Sequence, residues 1–537
     1  MKNGKELATA ILIPLGLALS PVLSVWKSNR AEVPFPEIFR PLCVVALAAL
    51  LVSGILRALL YRRTEPWHRT ALLASAFWLM FWNYSFIRDK FAVFAVLASP
   101  DALLYPDKWG LPLWIILALV VLVALSLVKR WLPAITSGLA AMAAVLVVLA
   151  LPWQGLGKAA RPTPAPSPVP QVKPRPANDN RPDIYVVVLD GYARTDVLRN
   201  LHQCDNTEFL EGLKSRGFQV AAHSQANYVQ TALALGSLLR MDYWPAEKSD
   251  DAVSALTEMV GKAPLREFVA AHNYRSIAYL SSGPLTEGLL QETIIDMGEA
   301  SSPIGSLENL LLDITPLAIL PRGEAVEYAN HRQRLRNTLK RLGEPPPSSD
   351  PYLVLCHILL PHPPFVFGPN GEERTPPIPY SIGDATGYRG KGEEYGQAYS
   401  DQVQWVGPQV LNAIDSLRKN SPRPVAILLM GDHGSRRYTD WSGAEHTYMP
   451  EAFGNLLAVC VPDELKSRFG ILPNHPTPLT TFRRLLNATL NEKLPPLPDH
   501  SYYSTLNKGF TFVDVTEAAR APVSVEEAKR VHPSIGR

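Results

Sequence analysis

Apolar positions are nearly continuous over the first 154 residues. Beyond residue 182 they break into short runs separated by polar, glycine-rich or proline-rich stretches. The first regime contains apolar windows at about Leu7–Val25, Pro41–Tyr61, Ala71–Ile87, Leu111–Val128 and Leu132–Leu151. Each window is about 17–21 residues, which as helix crosses a hydrocarbon core. The first has the look of a cleaved signal peptide. Four further windows, and no small-x-small cleavage site, make it a retained signal anchor instead. The pattern therefore predicts five transmembrane helices over residues 1–154.

Orientation follows from the basic residues. Lys2 and Lys5 precede the first window, Arg62, Arg63 and Arg69 separate the second and third, and Lys129 and Arg130 separate the fourth and fifth. Placing those segments in the cytoplasm obeys the positive-inside rule. The opposite loops also carry basic residues, Lys27, Arg30, Arg40, Arg88 and Lys90, so the asymmetry is incomplete. Five spans with a cytoplasmic N-terminus put everything after residue 155 on the outer side. Trp26, Trp109, Trp131 and Trp153 stand at the window ends, where interfacial tryptophans belong.

Residues 155–181 form a linker. From Arg161 to Pro176 proline recurs at nearly alternate positions. Such a sequence favours extended polyproline II and cannot pack a core, so it reads as a semi-rigid stalk. From Pro182 to Val515 apolar runs of strand length alternate with helical stretches. Strands are expected at Ile184–Leu189, Phe218–Ala222, Ser276–Leu280, Tyr352–Leu360, Val425–Met430 and Leu456–Val461. Helices are expected at Thr207–Arg216, Ala263–His272 and Tyr399–Leu417 among others. This is the signature of a large α/β domain, a mostly parallel sheet with helices on both faces. Residues 516–537 are polar and read as a peripheral tail.

Totals change this picture little. A chain of 537 residues exceeds one compact core. A net charge of +3 leaves no footprint for nucleic acid. Cys43, Cys204, Cys356 and Cys460 are far apart and form no CxxC pair, which argues against a disulfide framework or a zinc–thiolate site.

Candidate chemistry lies where the buried strands stop. The run Ile184–Leu189 ends in Asp190-Gly191, and Val425–Met430 ends in Gly431-Asp432-His433-Gly434. Ligands of open α/β sheets gather at the carboxyl ends of strands. An Asp beside a His offers a hard oxygen and a borderline imidazole to a divalent cation. Asp190 alone reads equally as a helix cap. Thr231 opens an apolar stretch, Thr231–Leu238, and so falls near a helix N-terminus, which favours an anion. An ordinary N-cap threonine is the simpler reading of that position.

Taken together these stretches resemble the alkaline phosphatase superfamily. Within it the likeness is to the membrane-anchored, sulfatase-like branch of phosphoethanolamine transferases and lipoteichoic acid synthases. The resemblance implies a metal site of Asp190, Thr231, Asp432 and His433 holding zinc or manganese, with Thr231 as nucleophile. In Cys356-His357-Ile-Leu-Leu-Pro-His362-Pro it assigns His362 to binding the phosphate or protonating the leaving oxygen. His357, inside the strand, reads as a core histidine. His446, Arg436 and Asn227 are further candidates for meeting the substrate, and Asp196 and Asp440 for a second ion.

The implied activity is transfer of a phospho-alcohol head group from a membrane lipid donor to an envelope glycan or lipid acceptor through a phospho-threonine. The implied location is the bacterial cytoplasmic membrane, with the catalytic domain on its outer side. The alternatives are a phosphoester or sulfoester hydrolase that uses water as acceptor, and a non-catalytic envelope protein. A formylglycine sulfatase is disfavoured, because no cysteine sits in a Cys/Ser-x-Pro-x-Arg setting.

Overall fold

The computed structural model describes residues 2–28, 38–95, 106–128, 130–150, 181–245, 263–280, 292–295, 306–319, 324–346, 350–376, 392–505 and 508–532. The expected proline-rich stalk lies outside these residues. The chain divides into two compact units. One comprises residues 1–167 and 302–323, the other residues 168–301 and 324–537.

The first unit is helical: α1 (Lys2–Ser28), α2 (Phe39–Leu59), α3 (Pro66–Trp82), α4 (Tyr84–Ala95), α5 (Pro106–Ser126) and α6 (Leu132–Ala150). Among the described residues three helices are long and apolar enough to cross a membrane: Glu6–Lys27, Phe39–Leu59 and Leu132–Ala150. The expected five are thus met by three on length and composition. The third window, Ala71–Ile87, runs past the end of α3, because the chain breaks at Asn83, whose side chain bonds Leu79 O at 2.7 Å. Lys27 Nζ donates to Leu149 O at 2.7 Å, so the C-terminal ends of α1 and α6 lie together. Leu47, Leu51 and Ile55 of α2 and Val120 and Val123 of α5 point outward and stay exposed. In water such a band is a liability, whereas in lipid it is the expected surface. The segment Ser306–Ile319, which lies in sequence between two parts of the α/β unit, also belongs to this helical unit.

The second unit is built on a seven-stranded sheet. Its strands are β1 (Asp183–Leu189), β2 (Gln219–Val220), β3 (Arg275–Leu280), β4 (Glu292–Ile295), β5 (Tyr352–Ile358), β6 (Val425–Met430) and β7 (Leu457–Cys460). Their order is β2-β7-β6-β1-β5-β3-β4. The β6-β1-β5-β3-β4 stretch is parallel, while β7 pairs antiparallel with both β6 and β2. The sheet is therefore mixed but mostly parallel. All six expected strands form. β4 and a separate hairpin, β8 (Tyr502–Thr505) with β9 (Lys508–Asp514), are additional.

The continuous apolar runs are explained by the two-residue period of a strand with a helical layer on each face. Tyr185, Val187 and Leu189 of β1 enter one core with Val354, Cys356, Ile427 and Leu429, covered by the helices Glu324–Leu342 and Gly392–Asn420. Ile184, Val186 and Val188 enter the other with Leu353, Leu355, Leu428 and Met430, covered by the helices Thr231–Arg240 and Pro478–Leu490. Residues 516–532 fold back with Ala519 and Ala528 fully buried. All four cysteines are free thiols.

β1 begins and ends beside a buried carboxylate, and the two differ. Asp183 accepts the Tyr352 N–H at 2.8 Å and the Arg423 guanidinium at 3.0 Å, tying β1 to β5 and to the start of β6. Asp190, at the other end, faces imidazoles instead of a guanidinium, and that is where the candidate site lies.

Candidate metal centre

Strand register assembles the site. Val188 is level with His357 on β5 and with Met430 on β6. Two residues further on, Asp190 and Asp432 emerge side by side at the same sheet edge. Gly191 turns the chain with φ +71°, a region that costs other residues free energy, and its N–H donates to Asp432 Oδ1 at 2.9 Å. At Gly434 any Cβ would lie 1.7 Å from Glu451 O, so only glycine fits the turn that follows His433.

The protonation of His433 can be read from its contacts. Nδ1 lies 2.8 Å from Gly434 O, an acceptor only, so Nδ1 carries the proton. In the neutral ring Nε2 is then a lone pair. It lies 3.3 Å from Asp190 Oδ1 and 3.2 Å from Asp432 Oδ2. Both of those oxygens are buried without a hydrogen-bond donor. Asp190, Asp432 and His433 are essentially inaccessible to solvent, and their ligand atoms all lie within 4.8 Å of one another. Three acceptors converging in a dry pocket carry the desolvation cost of unsatisfied polar groups. A divalent cation satisfies all three at once, and the oxygen, oxygen, imidazole donor set suits zinc or manganese. Burial alone would push the Asp190 carboxyl up. The imidazoles of His362, His357 and His433 outweigh it and hold the group well below the usual carboxylate range, as a ligand requires.

Thr231 completes the cluster. It is the first residue of the helix Thr231–Arg240, preceded by Gln230, and no side chain caps that end. The N-cap reading of Thr231 therefore does not hold. Its Oγ1 sits instead 3.2 Å from His433 Nε2.

Two residues undervalued in the sequence take part. His357, read as a core histidine, places Nε2 3.1 Å from Asp190 Oδ2, the oxygen facing away from His433. Burial disfavours its charged form, but the bond to Asp190 more than compensates and raises its pKa. Its signal was positional, since a histidine level with Val188 on the adjacent strand sits at the same sheet edge as Asp190. Partners that orient a ligand carboxylate govern metal affinity. His357→Ala is expected to weaken metal binding about 10–100-fold, read by competition with a chelator. The second is Glu451, fully buried, which accepts the N–H groups of Arg437 at 2.7 Å and Tyr438 at 2.6 Å and the Ser435 hydroxyl at 2.6 Å. This carboxylate folds residues 435–438 into a tight loop, and no pattern in the sequence announces it.

That loop aims Arg436 at Thr231. Arg436 adopts φ +62° and is buried. Its Nη2 donates to Val229 O and lies 3.5 Å from Thr231 Oγ1. Its Nε is buried without a partner, and the guanidinium stands 5.0 Å from the Trp441 ring centre. No carboxylate among the described residues forms an ion pair with it. A buried guanidinium without a counter-ion, beside a hydroxyl and a cation site, is an arrangement that awaits an anion.

The remaining candidates fall on either side of the site. The His362 N–H donates to Asp190 O at 3.1 Å, and its Nδ1 bonds Pro363 O, leaving Nε2 free in a buried position. Burial lowers the His362 pKa, partly offset by Asp190, which favours the neutral ring. Asn227 is occupied elsewhere: its amide bonds Tyr243 Oη and His500 O, each at 3.1 Å, and accepts Leu479 N–H at 3.0 Å. His446 is exposed, 3.9 Å from Glu445, and is not brought to the cluster. Asp196 binds the Arg194 guanidinium at 2.6 and 2.8 Å, and Asp440 closes a turn onto Ser442.

No family profile and no curated protein sequence matches the chain. Solved structures do. A protein in the alkaline phosphatase superfamily from Vibrio parahaemolyticus aligns over 66% of this chain and 84% of its own, at 11% identity and TM-score 0.37. The C-terminal periplasmic domain of phosphoethanolamine transferase EptC from Campylobacter jejuni aligns over 59% of this chain and 96% of its own, at 12% identity and TM-score 0.35. The lipoteichoic acid synthase LtaP from Listeria monocytogenes aligns over 68% and 96%, at 11% identity and TM-score 0.37. The structures to which this chain is similar thus include members of the superfamily that its motifs resemble.

Proposed function

We propose that this protein is a membrane-anchored, metal-dependent phosphotransferase. It moves a phospho-alcohol head group from a lipid donor to an envelope glycan or lipid through a phospho-threonine intermediate. The observation that carries the reading is the Thr231 hydroxyl, 3.2 Å from a His433 nitrogen that also faces two donorless buried carboxylate oxygens.

In this reading Asp190, Asp432 and His433 hold the cation and Thr231 lies beside it. A divalent ion there supplies Lewis acidity, lowering the pKa of the threonine hydroxyl and offsetting charge on the phosphoryl oxygens. Thr231 Oγ attacks phosphorus in line. The Oγ–P bond forms, the bond to the leaving lipid oxygen breaks, and the hydroxyl proton passes to solvent. The neutral His362 ring binds the phosphoryl group, or, after taking a proton from solvent, gives that proton to the departing oxygen. Arg436 pairs with a phosphoryl oxygen, where a charge-assisted bond is strongest in the dry transition state. The acceptor alcohol then attacks the phospho-threonine: its O–P bond forms, the Oγ–P bond breaks, and the proton it loses is balanced by the one Thr231 Oγ regains. The five-span topology of the sequence supports a lipid donor, and it presents the site on the outer side.

Arg436→Gln is expected to lower kcat/KM about 10–100-fold while metal content is unchanged, since it removes one charge-assisted contact. Incubating the purified protein with labelled phospholipid tests the reading as a whole. Diacylglycerol should appear at full rate only with acceptor present, and label should move to the acceptor. If water alone consumes the donor at the full rate, the protein is a hydrolase.

A further inference from the structure

The sequence after β4 departs from the α/β unit and returns to it only at the helix Glu324–Leu342. Between them, the helix Ser306–Asp313 and the turn Pro316–Ile319 fold into the helical unit. We propose that this segment is a second attachment of the catalytic half to the membrane, independent of the proline-rich stalk. The proposal rests on reading the N-terminal helices as membrane-spanning.

A loop that merely connects two elements is polar and exposed. The helix of this one instead buries an apolar face. Leu307 and Leu311, one helical turn apart, are buried to 1% and 5% exposure. They pack, with Ile314 beside them, among Ala18, Val22 and Trp26 of α1, Ala49 of α2, and Trp78 and Trp82 of α3. Glu308 makes a two-point ion pair with Arg40 at the start of α2, and Ile314 O accepts the Ser85 N–H at 3.4 Å. Of these partners, Val22 and Trp26 of α1, Trp78 and Trp82 of α3 and Arg40 of α2 lie toward the helix ends that the sequence places on the outer side, while Ala18 and Ala49 lie further along their helices. Trp26 stands at that end of α1, where interfacial tryptophans belong. Arg40 also accounts for one of the basic residues that the positive-inside pattern left on the outer side, since its charge is matched by Glu308. Beyond the helix, Leu317 and Ile319 remain 39% and 48% exposed. Apolar side chains at that depth fit the headgroup–acyl boundary of the outer leaflet.

The experiment uses the full-length protein in membranes with a site-specific protease sequence replacing residues 163–170 of the stalk. After cleavage and a high-salt wash, the C-terminal fragment is expected to stay with the membrane. Leu307→Asp with Leu311→Asp should increase its release about tenfold or more, because burying the two charges is costly. Glu308→Arg should weaken retention, and adding Arg40→Glu should restore it. This pair guards against a leucine variant that simply misfolds. Release of the parent fragment on cleavage alone overturns the proposal, and so does retention unchanged by the leucine substitutions. Metal content of the fragment is measured alongside. A released fragment that keeps its metal leaves the catalytic reading standing, whereas a retained fragment that binds none removes that reading and leaves this one.

Discussion

Alanine at position 231 is expected to stop turnover, by about 10⁴-fold or more, with metal content and folding unchanged. The size of the effect follows from the role. Removing a group that forms a covalent intermediate abolishes a reaction path, whereas removing a binding contact costs only the strength of that contact. The selectivity follows from the geometry. Thr231 is partly exposed and caps nothing, so its hydroxyl is not needed to hold the helix Thr231–Arg240. The three candidate ligands, Asp190, Asp432 and His433, remain intact without it. Serine at the same position keeps the hydroxyl and should retain measurable activity. Turnover near the parent level in Thr231→Ala would remove this residue from the nucleophile role.

Asp190→Ala is expected to abolish both metal binding and activity. The substitution removes one of three candidate ligands and also the partner of His357. Its effect on stability should differ between the two forms of the protein. In the metal-free form the ionised Asp190 is bonded to His357 and its carboxyl is held below the usual range, so its loss should already lower the melting temperature somewhat at neutral pH. In the metal-bound form the linkage contribution of the ion is lost, amounting to about 4 kcal/mol at a thousandfold excess over Kd. Melting with and without added zinc or manganese therefore separates a ligand from a structural aspartate. The parent should shift with metal and the variant should not. A variant that still shifts would show that Asp190 is not a ligand. Asp183 makes a natural control. It is as buried, but its partners are the Tyr352 N–H and Arg423, so its loss should lower stability with metal or without.

How far the sequence carried can be seen residue by residue. The strand ends were legible because two apolar runs of strand length both stop at residues able to bind a cation, Asp190 and Asp432-His433, and the parallel register brings them level. Thr231 was legible only by position, and its contact with His433 depends on tertiary packing that no local pattern encodes. His357 was misjudged because a histidine within a strand looks like core. Its partner lies 167 residues away, and only the β1–β5 pairing makes them neighbours. Glu451 was invisible for the same reason, since nothing local says that it cages the 435–438 loop. Asn227 and His446 went the other way. Proximity in sequence to the motifs suggested a role, but Asn227 holds the helix Pro478–Leu490 and His446 faces solvent. In the helical half three of the five expected spans meet the length and composition of a membrane helix among the described residues, and the window Ala71–Ile87 falls short because the chain ends one helix at Trp82 and starts another at Tyr84. The role of residues 306–319 was also hidden, because an eight-residue amphipathic helix within an α/β sequence gives no sign of packing elsewhere.

The most direct test is to look for the covalent intermediate. Purified full-length protein, loaded with zinc or manganese, is mixed with a bacterial phospholipid extract without acceptor, quenched in acid, digested and analysed by mass spectrometry. The account predicts a phosphoryl-containing adduct on Thr231, absent after chelation and absent in Asp432→Ala. Consumption of the donor lipid with Thr231 unmodified throughout, or with the adduct on another residue, would contradict it.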